Sequence, residues 1–343
     1  MNKIIIETPG SVSAIIVGAR WEAVGKLLPE KGVAVITDNN LHRIYGDRFP
    51  HFPVIRIKPG EESKQLKFIE KLAGDLLRKG IDRSGFLLGI GGGVVCDITG
   101  FLASVYMRGI RCGYVSTSLL SQVDASTGGK TGVNLGIVKN VIGTFRQPEF
   151  VICDPTMLRT LPGDEYLSGM AELIKTGLIG DKTIIEDLEK NYTGIVRRER
   201  TLLSDLVYRS VRFKAHVVAK DEKESGLRRI LNFGHTFGHA IELHDGVSHG
   251  FAVAAGMELA TLFSFERNLI TRKECDRIID LLRKYKFPGI FTLPAGKLRE
   301  LILHDKKKSG DEMNFVFLKG IGKPSVMKIP VSEIVDFYRH FKR

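Results

Sequence analysis

Short apolar runs alternate with amphipathic stretches along the first half of the chain, and the period of the pattern changes near Leu161. "SAIIVG" (Ser13–Gly18), "GVAVITDNN" (Gly32–Asn40) and "VIRIKPG" (Val54–Gly60) are rich in β-branched residues and end at turn formers, which predicts strands. "SKQLKFIEKLAGDLLRKG" places apolar side chains at helical spacing and stops at Gly80, as an amphipathic helix does. "FLLGIGGG" predicts a buried strand running into glycines, with a helix over "VVCDITGFLASVYMRG"; "FVICDP" (Phe150–Pro155) predicts another strand. Strands and helices in alternation imply an α/β layer built on a parallel sheet.

After Leu161 helical patterns dominate. "DEYLSGMAELIKTGLIG", "RRERTLLSDLVYRSVRFKAHVVAKD", "GFAVAAGMELATLFSFERN" and "KECDRIIDLLRKYKF" all predict helices, and only "EMNFVFLKG" and "SVMKIPV" read as strands. The organisation predicted is an α/β domain over residues 1–160 and a mostly α-helical domain over 161–343, which suits a chain of 343 residues. There is no internal repeat and no low-complexity segment.

Composition narrows the class. The chain is 43% hydrophobic and 26% charged, as a soluble globular protein is. No apolar run is long enough to span a membrane, and the opening "MNKIIIETPG" is too short for a signal-peptide core, so a cytoplasmic protein with no membrane partner is expected. Cys96, Cys112, Cys153 and Cys275 are scattered with no CxxC pair, which reads as reduced thiols. The formal charge of +12 suits an acidic partner. It is spread along the chain, as in "VRRERTLLSDLVYRSVRFKAHVVAKDEKESGLRR", where both signs mix as on solvated helix faces. No nucleic-acid-binding signature accompanies it, which leaves a small acidic substrate.

Five stretches carry chemistry. In "GIGGGVVCD" (Gly89–Asp97) a strand runs into three glycines and a helix, so backbone amides and a helix N-terminus can face a phosphate; the GxGxxG spacing is not met, because Val94 interrupts it. Upstream, "TDNN" ends a strand where an acidic side chain can hold a ribose hydroxyl, which together with the glycines makes a nucleotide site plausible. "SQVDASTGGKTGVNLGIVKN" (Ser121–Asn140) reads as a polar loop offering lysines and amides to phosphate; positions 124 and 125 are Asp and Ala, so it is not a P-loop. In "GMAELIKTGL", Glu172 and Lys175 share one face of a helix that is apolar on most sides, so the carboxylate needs a cation or metal beside it. "LNFGHTFGHAIELHDGVSHG" carries His235, His239, His244 and His249; with Glu172 such histidines provide a nitrogen and oxygen set that suits zinc, although spacing does not say which histidines serve.

These stretches, extended to "GGGVVCDITGFLASVYMRGI", "SQVDASTGGKTGVN", "KNVIGTFRQP", "SGMAELIKTGLI", "DEKESGLRRILNFGHTFGHAIE", "SHGFAVAAGM" and "HDKKKSG", resemble the 3-dehydroquinate synthase family in order from about Asp38 to Asp305. The resemblance implies a Rossmann-like NAD domain joined to a helical metal- and substrate-binding domain, with the site in the cleft and a homodimer in solution. It places the ligands of one divalent metal, zinc or cobalt, on Glu172, His235 and His249. NAD positions fall on Asp38, Asn40, Glu61, Lys64, Gly92, Gly93, Val94, Asp97, Thr117, Ser118, Lys139 and Thr160. Catalytic positions fall on Glu224, His239, Lys175, Arg108 and Asp124. Substrate positions fall on Lys130, Asn140, Lys214, Arg228, Asn232 and one of Lys306 and Lys307. The chain departs from the family pattern at Ser118 (usually threonine), Cys96 (usually glycine), Leu135 (commonly histidine) and Phe251 (commonly glutamate).

The activity implied is conversion of the sugar acid phosphate 3-deoxy-D-arabino-heptulosonate 7-phosphate (DAHP) to 3-dehydroquinate and phosphate, by transient oxidation with NAD, elimination, re-reduction and aldol closure. Arg228 and Lys214 are then the groups for a carboxylate. Cyclases acting on substrates without that carboxylate would leave Arg228 with nothing to bind, polyol dehydrogenases would need no lysine-rich phosphate pocket, and a basic binding protein would need no Glu172, His235 and His249.

Overall fold

The computed structural model describes residues 1–343 except 137, 288, 290, 291, 306–310, 342 and 343. Nine strands come first: β1 (Asn2–Thr8), β2 (Ser11–Val17), β3 (Val33–Asp38), β4 (Val54–Ile57), β5 (Phe86–Gly91), β6 (Arg111–Ser116), β7 (Lys130–Leu135), β8 (Val138–Phe145) and β9 (Phe150–Cys153). Between them lie helices α1 (Asn39–Tyr45), α2 (Leu66–Arg78) and α3 (Gly93–Val105). Seven strands form one sheet in the order β1-β2-β9-β6-β5-β3-β4, parallel except for the β1–β2 pair. β5 is buried along its whole length, as a central strand covered on both faces must be. Trp21, Val35, Phe86, Leu88, Ile90, Val115 and Ile152 form the core beneath it.

The register of this sheet gathers chemistry at one edge. Thr37 pairs with Ile90, and Gly91 with Ser116, so Asp38, the glycine turn and Thr117–Ser118 all leave the carboxyl ends of neighbouring parallel strands. That is where open α/β sheets bind ligands.

The rest of the chain is helical: α4 (Gly163–Ile179), α5 (Lys182–Lys190), α6 (Tyr192–Val196), α7 (Arg200–Lys220), α8 (His235–Asp245), α9 (His249–Glu266), α10 (Arg272–Lys284), α11 (Ala295–Asp305) and α12 (Val331–Phe341), with the antiparallel hairpin β10 (Glu312–Leu318) and β11 (Pro324–Pro330) before α12. Two compact units result, one of Met1–Tyr166 with Val196–Lys223 and one of Leu167–Ile195 with Glu224–Arg343. The chain passes from the first unit to the second after Tyr166, returns to the first over residues 196–223 and ends in the second. Residues 196–223, which include α7, cluster with the α/β unit, because α7 packs on β1 and β2 and on the turn Ser121–Ala125.

Two other readings change. Ser121–Asn140 is no simple loop: a turn of π-helix over Ser121–Ala125 leads into the β7–β8 hairpin, whose first strand is largely buried. β6, "RCGYVS", carries a glycine and polar residues and shows no strand alternation, yet it is buried from Cys112 onward and completes the sheet between β5 and β9.

In the second unit Phe237, Phe263, Phe315, Phe317 and Phe337 interlock, with Phe263 and Phe337 stacked at 4.3 Å between ring centroids. This aromatic core fixes α8, α9, α12 and β10 together. Glycines then set the separation of α8 and α9. A Cβ on Gly256 would lie 1.9 Å from the Gly234 carbonyl oxygen, and one on Gly238 would lie 3.0 Å from that of Ala252.

Candidate functional site

In the second unit three helices bring one ligand atom each to a single place. Glu172 of α4, His235 at the start of α8 and His249 at the start of α9 offer atoms within 4.8 Å of one another. His249 Nε2 lies 3.4 Å and His235 Nε2 3.7 Å from Glu172 Oε1. Glu172 is fully buried, with no neutral hydrogen-bond donor on its carboxylate among the described residues. Its charge is met by Lys175, one turn on, which is 2% exposed and forms an ion pair with it. Met170, Ala171, Leu173 and Ile174 are all buried around this pair, as the apolar pattern of the helix required.

The protonation states suit a metal. Burial alone would raise the Glu172 carboxyl, but Lys175 and His249 hold it down at about 2. Burial, then the charges of Lys175, His239 and His249, push His235 well below its usual value, so it is neutral. Burial also lowers His249, but its contacts with Glu172 and Glu242 outweigh this and lift it to about 9, so a metal would displace a proton there. The remaining ring nitrogens fix the tautomers. His235 Nδ1 donates to the Phe233 carbonyl at 3.2 Å, and His249 Nδ1 donates to Glu242 Oε2 at 3.2 Å. His235 Nε2 is thereby left as a lone pair facing Glu172, and His249 Nε2 becomes one once its proton is displaced, the arrangement in which an outer partner orients a metal-binding imidazole. A buried carboxylate with two oriented imidazoles fits a zinc-like ion and leaves positions open for substrate oxygens.

Glu242 escaped the sequence reading. The signal was present: it lies three residues after His239 and seven after His235, hence on the same face of α8. It also belongs to a second potential ligand group with His239 and His249. The Glu172 group has the stronger case, because Glu242 already orients His249, whereas Glu172 is fully buried with only the Lys175 ammonium and the His235 and His249 rings around its carboxylate.

Around the cluster, His239 stacks edge-on to His235 at 5.1 Å between centroids. The 3-10 turn Leu227–Asn232 supplies Arg228, which is 2% exposed, while Arg229 beside it is half-buried. Asn232 donates its amide to the Glu224 carboxylate, joining two of the candidate residues. Glu224 holds a left-handed backbone at φ 58°. Lys306 and Lys307 lie outside the described residues.

The first unit carries the nucleotide-type features. Gly92 caps α3 without any side-chain cap, so the first-turn amides are left for an anion. A Cβ on Gly91 would strike Val95 at 2.3 Å, and one on Gly92 would sit 3.2 Å from Ser118 Oγ, so this turn admits close approach only as glycine. Gly93 and Val94 open the helix, and Thr117 and Ser118 are buried beside the turn. Asp38 caps α1 through Oδ1, which accepts from the amides of Asn40 at 2.8 Å and Leu41 at 3.0 Å. Thr160 shares a hydrogen bond with Tyr45 at 2.8 Å.

Lys64 is 3% exposed; burial lowers its pKa, but Asp97 and Glu61 outweigh that and hold it above the usual lysine value. Its Nζ donates to Asp97 Oδ2 at 2.7 Å and also to Asn140. Lys214 donates to the Asp124 carbonyl at 2.7 Å and to its carboxylate at 2.5 Å. Lys130, Lys139 and Arg108 are exposed. Arg108 and Asn140 hold left-handed backbones, at φ 67° and 55°, a conformation that side chains other than glycine enter at functional sites. Among the described residues, the lysines and arginines that are buried are Lys64, Lys175, Lys214 and Arg228, and all four are sequence candidates. Burying a cation is unfavourable without a partner, so each unit carries two buried cations that its own interior must satisfy.

Residues 54–168 match the family profile described as 3-dehydroquinate synthase N-terminal, and residues 169–308 match 3-dehydroquinate synthase C-terminal. The chain is 42% identical over 299 residues to a 3-dehydroquinate synthase of Dictyoglomus thermophilum, covering 86% of this chain and 84% of that protein. It is 42% identical over 323 residues to one of Acidithiobacillus ferrooxidans, covering 90% and 88%. Among solved structures, 2-epi-5-epi-valiolone synthase from Streptomyces hygroscopicus subsp. jinggangensis, with NAD+ and Zn2+ bound, superposes with a TM-score of 0.88 at 25% identity over 96% of each chain. A 2-deoxy-scyllo-inosose synthase complexed with carbaglucose-6-phosphate, NAD+ and Co2+ shares the fold, with a TM-score of 0.86 at 24% identity over 99% of each chain. Both halves of the chain match in order, and its relatives span nearly its whole length: this protein belongs to the 3-dehydroquinate synthase family.

Proposed function

We propose that this chain converts DAHP to 3-dehydroquinate and phosphate, with NAD that is regenerated in each turnover and one divalent ion, zinc or cobalt, and that it works as a cytoplasmic homodimer. Within this family, the observation that carries the reading is the buried Glu172–His235–His249 cluster, with Lys175 paired to Glu172 and a buried Arg228 in the same unit.

When bound, NAD supplies a reversible hydride acceptor and the metal a Lewis acid at the hydroxyl being oxidised. The chain's own residues do the rest. The uncapped α3 N-terminus and the Gly91–Gly93 turn take the pyrophosphate, Asp38 and Asn40 the ribose, and Glu61, Lys64, Asp97, Thr117, Ser118, Lys139 and Thr160 complete the cofactor contacts. Glu172, His235 and His249 hold the ion. Lys130, Asn140, Asn232, His239 and a lysine from 306–307 suit the substrate phosphate, and Arg228 with Lys214 suits the carboxylate. Glu224 and His239 would move protons as phosphate leaves and the ring closes, with Arg108, Asp124 and Lys175 assisting.

Phosphate release from DAHP tests the reading. Substoichiometric NAD should support many turnovers without accumulation of NADH, a chelator should abolish release, and zinc or cobalt should restore it. His235→Ala should lose the bound ion and the activity. NADH accumulating in proportion to product, or full activity in His235→Ala with one ion retained per chain, would overturn it.

A further inference from the structure

Asn134, the fifth residue of β7, was not among the candidates, yet it holds three segments of the first unit in register. Its backbone amide donates to the Lys64 carbonyl at 2.7 Å. Its side-chain oxygen accepts from the Asn140 amide at 2.8 Å, and its side-chain nitrogen donates to Glu61 Oε1 at 2.9 Å. It is 9% exposed. Both polar ends of this buried amide are therefore used, one on each neighbouring segment.

The segments it joins carry candidate residues of two kinds. Glu61 and Lys64 flank a short 3-10 turn, with Glu61 Oε1 3.4 Å from Lys64 Nζ. Asn140 holds φ 55°, and its side chain accepts from the same Lys64 ammonium. A left-handed backbone on a hairpin strand persists only where the surroundings over-determine it. The hydrogen bond from the Asn140 amide to Asn134 fixes its backbone here, and that from Lys64 fixes its side chain. Exchange of Asn134 for a residue without both functions would free Glu61 on one side or Asn140 on the other.

We infer that Asn134 is a positioning residue that aligns the cofactor-binding turn Glu61–Lys64 with the substrate-phosphate residue Asn140. The inference rests on the roles proposed above for those residues. Asn134→Asp keeps an acceptor for the Asn140 amide but sets a carboxylate against Glu61, so it should weaken the cofactor side alone. Asn134→Ala removes both links.

The test titrates NAD into the full-length, zinc-loaded, NAD-free protein and measures KM for DAHP at saturating NAD. Asn134→Asp should raise the NAD Kd at least about fivefold, since hydrogen bonds to charged groups are the stronger ones, and should change the DAHP KM less than twofold. Asn134→Ala should raise both at least about fivefold. Glu61→Ala serves as the control. If it weakens NAD binding and Asn134→Asp does not, Asn134 has no positioning role. If Asn134→Ala lowers only the melting temperature, with both constants unchanged, the residue is merely structural and the inference fails. If Glu61→Ala itself leaves NAD binding intact, the cofactor assignment of this turn falls, and the inference falls with it.

Discussion

Arg228 and Arg229 are adjacent, carry the same charge and differ in burial, 2% exposed for the first and half-buried for the second. A guanidinium removed from water must be met by charge, and its planar fork matches a carboxylate in two parallel hydrogen bonds. A charge-assisted hydrogen bond contributes about 1.5–3 kcal/mol, and 1.4 kcal/mol is about a factor of ten. Arg228→Ala should therefore lower kcat/KM for DAHP by at least ~10-fold, Arg228→Lys should recover only part, and Arg229→Ala should change little. Equal losses at both positions, or none at Arg228, would place the carboxylate elsewhere. That outcome would also reopen substrates without a carboxylate.

At the scale of elements, the separation of α8 and α9 decides whether His235 and His249 can share an ion. Gly256 sets it: a Cβ there would lie 1.9 Å from the Gly234 carbonyl oxygen and 2.7 Å from the Gly238 amide nitrogen, both backbone atoms that no side-chain rotation can move aside. Gly250 plays the same part between α9 and α4, where a Cβ would lie 2.3 Å from Ser168 Cα. Gly256→Ala should force the helices apart, destabilise the fold by about 1–3 kcal/mol as overpacking does, and weaken metal binding in whatever fraction still folds. Thermal unfolding and a zinc-chelator competition measure the two effects. A variant with unchanged melting temperature and unchanged zinc affinity would show that the glycines do not set this spacing. Nothing in the helical pattern of "SHGFAVAAGM" distinguishes these glycines from mere helix weakeners; the demand appears only when a second backbone arrives.

Across the whole molecule the four free cysteines are all buried. Burial pushes the Cys112 thiol up to about 11 and Cys153 to about 12, and Cys96 is raised further, with Asp97 adding to its burial. A thiol whose folded pKa is raised favours the folded state fully below its unfolded value, near 9, and progressively loses that contribution as pH rises beyond it. Stability should thus fall above about pH 9, by about 1.4 kcal/mol per unit for each thiol that ionises only in the unfolded chain. A thiol reagent at pH 8 should find no reactive cysteine in the folded protein and four after denaturation. Rapid labelling of the folded protein would show that the segment around the labelled cysteine opens more readily than its burial implies. The formal charge of +12 is carried mostly on side chains outside the core, with both signs mixed along α7, and only Lys64, Lys175, Lys214 and Arg228 are buried among the described lysines and arginines.

The sequence by itself determined the alternation of strands and helices, the glycine turn after a buried strand, the unusual carboxylate inside an apolar helix and the concentration of histidines near one segment. Each is a local property, carried by period, turn chemistry or the desolvation of one side chain. The ordered motifs also pointed to the family that the profiles and relatives then showed. Only the tertiary structure decided the rest. That α7 belongs with the sheet follows from which surface covers its apolar face, and helical periodicity carries no such information. β6 lacked strand alternation because both its faces are buried. Glu172 meets His235 and His249 across more than sixty positions of chain, and the hydrogen bond of Glu242 to His249 and those of Asn134 to Glu61 and Asn140 join segments that sequence spacing does not pair. The physical reason is the same in each case: local sequence sets conformation and polarity, while the partner that satisfies a buried charge or amide is chosen by packing.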